Sequence, residues 1–296
     1  MSLTALYDVA APAKLNLFLH VMGRREDGYH LLQSVFVLID WCDTLQFERR
    51  ADRALARHDL AAALPADDLC LRAAQALQNE SGTHFGADIS IAKQVPWGAG
   101  MGGGSSDAAS TLLALNRLWD LNWPLPKLMA LGLRLGADVP FFLGGHNAWV
   151  EGIGEKLTPL ALPAQWLAVL KPAASLETSA IFASPLLVRK GEADIVEGFF
   201  ADAAIDALMD GFGCNMLQPP AEHQCPDVAK AAQLLKTRFG NSRMTGSGSA
   251  VFARAGRVTD TAVQPLVTMP CDLAPGWTGR MCRSLDRHPL LGWCPG

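Results

Sequence analysis

The chain has 296 residues, half of them apolar, and carries a formal net charge of −4 with a pI near 6.0. A chain of that length and hydrophobicity has room for roughly two packed domains. Its charge balance lacks the basic footprint of a nucleic-acid binder, and no run of about 18 apolar residues occurs to span a bilayer, so neither nucleic acid nor membrane is an expected partner.

The N-terminal stretch "MSLTALYDVAAPAKLN" has neither a basic n-region nor a long apolar h-region, so no signal peptide is expected. Residues 13–21, "AKLNLFLHV", alternate and predict a strand, with Leu15, Leu17, Leu19 and Val21 on one side and Lys14, Asn16, Phe18 and His20 on the other. "SVFVLID" (34–40) predicts a second strand, and the Asp27-Gly28 turn signal between them predicts a hairpin with a long loop. Helical spacing through Leu69, Ala73, Ala76 and Leu77 predicts a helix over 66–80, followed by a short strand over 87–93. A glycine-rich loop then opens a helix near 105–119, and a further helix over 127–135 has Pro126 in its first turn and Gly136 as its stop. The Pro-rich stretch "LTPLALPAQW" (157–166) marks the expected boundary between an N-terminal domain, 1–158, and a C-terminal domain, 159–296. Beyond it, a strand is expected at "WLAVLKP", helices near 178–184, 193–210 and 227–238, and a strand over 249–255 after the glycine turn "MTGSGS". No readable periodicity follows residue 256 or so. Strands and helices in this mixture predict an α+β fold in two domains. The seven cysteines are scattered without a C-x-x-C pair, which reads as reduced thiols in a cytoplasmic protein.

The densest signal is "GAGMGGGSSDAAS" (98–110), which places five glycines in seven positions ahead of an alanine-rich helix. Glycines let a backbone approach an anion closely, and a helix start offers unpaired N–H groups and a favourable dipole. Ser105 and Ser106 are expected at the cap, with hydroxyls in reach of a phosphate or a magnesium ion. A polyphosphate is the expected ligand. Gly98, Gly100 and Gly103 also match the dinucleotide fingerprint, with Asp120 as the acid some twenty residues on, but Pro96-Trp97 interrupts the strand exit that fingerprint needs. The P-loop pattern lacks its lysine, and the protein-kinase motifs are absent. Positive charge must then arrive from elsewhere, and Lys14, with Asn16 on the same strand face, is a candidate. Asp138 in "LGADVPFF" is the candidate to orient an acceptor hydroxyl, with Val139-Pro140 expected to hold the chain extended behind it. Taken alone, Lys14 reads more commonly as a solvent-facing lysine on a strand edge, and Asp138 reads as readily as a turn cap. A nicotinamide-dependent oxidoreductase and a catalytically silent nucleotide-binding module remain alternatives at this level.

Together, "PAKLNLFLHV", "DGYH", "PWGAGMGGGSSDAAS", "LGADVPFF" and "MTGSGSAVF" resemble the GHMP kinases, in that family's order, from about residue 12 to 255. "PAKLNL" with "DGYH" points to the branch that acts on 4-diphosphocytidyl-2-C-methyl-D-erythritol in non-mevalonate isoprenoid biosynthesis. The resemblance implies an N-terminal domain of ribosomal-protein-S5 type, a ferredoxin-like C-terminal domain, and an active site in the cleft between them. It implies transfer of the ATP γ-phosphoryl group to the substrate's 2-hydroxyl, with Mg²⁺, by a cytoplasmic monomer or homodimer. Lys14 and Asp138 match the catalytic pair. Pro96, Trp97, Gly98, Ala99, Gly100, Met101, Gly102, Gly103, Gly104, Ser105 and Ser106 match the ATP-phosphate loop. Ser105 is the side chain offered to magnesium, and Lys93 stands where the family approaches the nucleotide base. Asp68 stands where some members place an asparagine near the adenine. Asn16, Tyr29, His30, Thr178 and Phe182 match the substrate pocket, with Tyr29 and Phe182 expected to sandwich the cytosine and His30 to select it. Gly246 and Gly248 match the last glycine turn, near the substrate diphosphate.

Overall fold

The structure, a computed structural model, describes residues 3–61, 63–188, 202–258, 268–269 and 272–295. Its backbone is a long antiparallel hairpin, β1 (Ala5–Arg24) and β2 (His30–Arg50), closed by the Asp27-Gly28 loop. The last third of β2 pairs with β4 (Gly86–Ala92), which lies parallel to β3 (Leu55–Asp59). Its first residues pair with β5 (Ala148–Gly152), which continues into β6 (Lys156–Pro159). One face of this sheet is covered by α1 (Leu69–Ser81), α2 (Gly103–Leu118), α3 (Leu125–Leu135) and α4 (Val139–Gly144), and Phe36, Phe47, Leu112 and Phe141 are among the side chains enclosed there.

The chain leaves the first sheet at Pro159 and enters a second at Gln165, so the passage between units runs through the Pro-rich stretch. The second sheet has the order β10 (Thr278–Arg283), β7 (Gln165–Lys171), β9 (Val251–Arg257), β8 (Arg243–Met244). It packs against α7 (Gln218–Gln224) and α8 (Pro226–Phe239) through Leu170, Leu217, Val228 and Leu235. Two further helices, α5 (Thr178–Phe182) and α6 (Asp202–Met209), complete this unit, and the part of the expected 193–210 helix before 202 lies outside the described residues.

Three expectations need correction. Both faces of β1 are covered, so the buried run from Ala11 to Val21 is continuous. A register shift between Asn16 and Leu19 breaks the period of two, and Phe18 joins Leu15 and Leu17 in the cluster between the two sheets. Val139-Pro140 is not extended, because Pro140 takes the first turn of α4, where a missing N–H costs nothing.

The third concerns the tail, in which the sequence shows no element and the structure forms β10. After β10 the chain crosses back to the first unit: Leu285 N donates to Leu38 O at 2.8 Å, His288 N to Gly145 O at 2.8 Å, and Leu125 N takes Pro295 O at 2.9 Å. Asn147 locks the crossing, accepting from Leu38 N and donating to Leu285 O, each at 2.8 Å. Leu290 is buried in the first core. A tail stitched by backbone bonds rather than by an amphipathic element carries no periodicity to read.

His288 is buried in this tail, its Nδ1 accepting from Leu290 N at 3.0 Å, and burial lowers its pKa to about 4. The unfolded chain takes up this proton near the ordinary pKa of about 6.5, so it binds more protons than the folded chain between those values. Stability is therefore expected to fall as pH drops from about 6.5 toward 4, by up to about 3 kcal/mol for this one group. Urea denaturation at stepped pH should show the slope in the wild type and a shallower one in His288→Gln.

Candidate active site

The glycine loop is built from two kinds of residue. Ala99 and Met101 are buried anchors between the units, while the glycines hold the backbone where side chains would collide. At Gly100 (φ 72°) a Cβ would overlap the carbonyl oxygen of Thr245, and at Gly102 (φ 69°) it would stand 3.0 Å from the Phe142 ring and 3.3 Å from Lys14 Cε. Two bonds zip the loop to the glycine turn, Ser249 N to Gly98 O and Ala250 N to Ala99 O, both 3.2 Å. Lys14 N donates to Met101 O at 2.9 Å, at a register shift that frees this amide from β2.

The left-handed Gly102 starts α2 two residues earlier than the sequence suggests, so the serines are not at the cap. Ser106 N closes the first turn on Gly102 O at 2.9 Å, leaving the amides of Gly103, Gly104 and Ser105 ahead of the intrahelical ladder. Ser105 faces the cleft, whereas Ser106 is fully buried and its Oγ has no partner among the described residues. The dinucleotide reading fails on the same geometry: β4 ends at Ala92, ten residues before the N-cap, and Asp120 lies past the far end of α2.

Lys14 is buried, not solvent-facing, and its ammonium stands 3.4 Å from Asp138 Oδ2. Asp138 reaches it from the N-cap of α4 and stays partly exposed to the cleft. The ammonium also donates to Asn16 Oδ1 at 2.7 Å and lies 4.2 Å above the Phe36 ring. Asn16 is a hub: its Oδ1 accepts from Gly246 N at 3.0 Å, its Nδ2 donates to Ser34 Oγ at 3.0 Å, and its own N donates to Thr245 Oγ1 at 2.9 Å. Asn215 holds the glycine turn from the other side, donating to Met244 O and Gly246 O at 2.7 and 2.8 Å.

Lys14, Asn16, Phe36 and Asp138 line one cleft of about 840 Å³ together with Tyr29, His30, Gly100, Gly102, Ser105, Thr178, Phe182 and Gly246. Phe182 stacks on His30, with centroids 4.8 Å apart and planes at 25°, and Tyr29, largely exposed, lines the same cleft. Thr178 Oγ1 and Ser247 Oγ are 2.8 Å apart and join the two walls. Sequence reasoning missed Ser247 and Thr245, although both belong to the glycine turn it singled out, and Ser34, which nothing in an apolar strand distinguishes. It also missed Arg24 at the end of β1, which lines the cleft and donates to Gly28 O at 3.0 Å.

Other expected residues lie off the cleft lining. Pro96 and Trp97 sit at the entrance to the loop, with Trp97 exposed. Gly98 packs on Ser175, Gly248 on Met244 and Leu176, and Gly103 on Val95. Lys93 is drawn inward, paired with the buried Asp43 and with Asp107 of α2. Burial works against the Lys93 ammonium, but Asp107 and Asp43 outweigh it and raise its pKa. Burial in turn lifts Asp107 to about 7, against the pull of Lys93. Asp68 caps α1, accepting from Leu71 N at 2.9 Å, and is paired with Arg57, so both of its oxygens serve the scaffold. No cluster of three or more His, Cys, Asp or Glu side chains that could hold a metal ion occurs among the described residues.

Residues 68–146 match the GHMP kinases N terminal domain and residues 199–263 the GHMP kinases C terminal domain. The 4-diphosphocytidyl-2-C-methyl-D-erythritol kinase of Methylibium petroleiphilum is 65% identical over 295 residues, covering 99% of each chain. That of Albidiferax ferrireducens is 56% identical, covering 98% of this chain and 96% of its own. Among solved structures, a 4-(cytidine 5'-diphospho)-2C-methyl-D-erythritol kinase superposes with a TM-score of 0.69 at 35% identity, over 85% of this chain and 90% of the other.

Because Asn16 joins the ammonium, the glycine turn and Ser34, Asn16→Leu is expected to destabilise by about 1–3 kcal/mol for each buried donor it orphans. Thr245→Ala, which removes one neutral hydroxyl from the same network, should cost less. Urea midpoints of the two variants check the order.

Proposed function

The chain belongs to the 4-diphosphocytidyl-2-C-methyl-D-erythritol kinases of the GHMP family, and on that footing we propose how its own residues carry out the ATP-dependent phosphorylation. The unit 1–158 supplies the ATP site and the unit 159–296 the far wall of the cleft. The amides of Gly103, Gly104 and Ser105 take the oxygens of the ATP tail, since a helix start favours negative charge. Pro96 and Trp97, outside the loop, offer the nucleotide's other end an apolar surface. The cytidine lies toward Tyr29, His30, Phe182 and Thr178, which brings the 2-hydroxyl to Asp138.

The substrate hydroxyl oxygen then forms the bond to the γ-phosphorus as the bond to the β-phosphate oxygen breaks. Asp138 takes the hydroxyl proton, and ADP leaves with the electron pair. Lys14, 3.4 Å from that carboxylate, steadies the charge developing on the transferred group and holds Asp138 in place. The observation that carries this reading is the Lys14–Asp138 pair at the mouth of a helix with bare amides, within a single cleft.

The Ser105 hydroxyl and the Asp138 carboxylate line the cleft beside the start of α2, and hard oxygen donors of this kind suit Mg²⁺. Ser105 would hold the ion jointly with phosphate oxygens and water, and the ion would neutralise charge on the triphosphate. A cytoplasmic location agrees with the reduced cysteines and with the lack of a membrane-crossing helix among the described residues. A monomer or a homodimer serves this chemistry equally.

An ADP-release assay with the diphosphocytidyl substrate tests the reading directly. Asp138→Asn is expected to lower kcat by about 10²–10⁴-fold with ATP affinity largely kept; unchanged turnover would remove its role as base. Phe182→Ala and Tyr29→Ala should each raise the KM for the cytidylyl substrate by an amount worth about 1–3 kcal/mol, the value of one stacked base. A rise confined to the KM for ATP would reverse the assignment of the two ends of the cleft.

A further inference from the structure

Beneath the first turns of α2 lies a group of charges for which the reaction has no use. Asp43, on β2, is wholly buried, and its Oδ1 accepts from the amides of Gln94 and Val95 at 2.5 and 2.8 Å. Its Oδ2 is paired with the Lys93 ammonium, which also donates to Asp107 Oδ2 at 2.6 Å. Lys93 Nζ stands only 3.4 Å from where a Cβ on Gly103 would be. One ammonium thus bolts together three segments: the second strand of the hairpin, the exit from β4, and the start of the helix that carries the bare amides. Side chains of this kind are rarely buried without a partner, and breaking such a pair leaves an uncompensated charge inside the protein.

We propose that Lys93 is a positioning residue for the phosphate-holding end of α2, acting through Asp43 and Asp107, and that it makes no contact with the nucleotide. The proposal rests on the reading of that helix start as the seat of the ATP tail. Its consequence is separable from general stability. A slack bolt tilts the amides of Gly103, Gly104 and Ser105, so ATP suffers, while the cytidylyl end of the cleft, built from β1, its hairpin loop and α5, does not.

The test is a double-mutant cycle on the full chain: wild type, Asp43→Asn, Lys93→Met and the double variant, with steady-state kinetics and calorimetric binding of ATP. Lys93→Met is expected to raise the KM for ATP about tenfold or more while kcat and the cytidylyl KM move less than about threefold. The double variant, which removes both charges at once, should lose less than the product of the single losses. Multiplying losses, or an altered preference between ATP and GTP, would overturn the proposal, since a lysine on the base reads base identity and is indifferent to Asp43. If Lys93→Met does not fold, Lys93→Arg keeps the charge and carries the test. It should weaken ATP about three- to tenfold at an unchanged ATP-to-GTP ratio, and an unchanged KM for ATP would count against positioning. A wild-type chain that bound no ATP would overturn the seat itself; tight wild-type binding with independent losses would overturn only the role of Lys93.

Discussion

Everything in this cleft depends on two stretches of bare backbone meeting across the boundary between units. Gly100 lies against the carbonyl of Thr245, Gly246 lies against the carbonyl of Gly100, and no side chain fits in either place. That close approach lets the Asn16 side chain reach the amide of Gly246 from one unit while holding the Lys14 ammonium in its own. The cleft is therefore assembled by main-chain complementarity, and its functional side chains hang from that frame.

The molecule treats its buried cations in two ways. Lys14 and Lys93 face carboxylates, so each is held by charge and aimed in one direction. Arg243 and Lys171 are answered by carbonyls. Arg243 spans Leu17 O, Gly211 O, Phe212 O and Gly213 O, and Lys171 ties Pro172 O to Ala174 O. Carbonyls take the place of a cation's water without neutralising it, and burial lowers both groups, Arg243 to about 10. The paired lysines lie beside Asp138 and beneath the start of α2, and the carbonyl-bound pair ties the loops around the glycine turn.

Much of this was legible in the sequence wherever one residue type is required by geometry. The glycine loop, the hairpin turn at Asp27-Gly28, the helix stop at Gly136 and the pairing of Lys14 with Asp138 all answer to local rules or to motif order. What escaped notice has a common cause. Asp43 is an unremarkable acid on an apolar strand, Lys93 looks like any lysine at a strand end, and their pairing spans fifty residues of chain. The stacking of Phe182 on His30 likewise joins the end of α5 to the start of β2, which no periodicity connects. The tail was illegible because its bonds are to the backbone of the other unit, and composition records no such thing.

The returning tail also sets the mechanics of the whole. Ser284, where the chain crosses back, is bonded at 2.9 Å to Gln165, where it first crossed over, so both crossings run side by side. Two ropes tied at one post make a stiff pivot along a single edge. Along the rest of the seam run the amide bonds between Gly98–Ala99 and Ser249–Ala250, those of Asn16 to Thr245 and Gly246, and those of Leu19 to Cys214 and Met216. With both crossings tied at one edge and Asn16, Arg243 and the glycine turn bonded along the remainder, the two halves are braced at both ends of their shared seam.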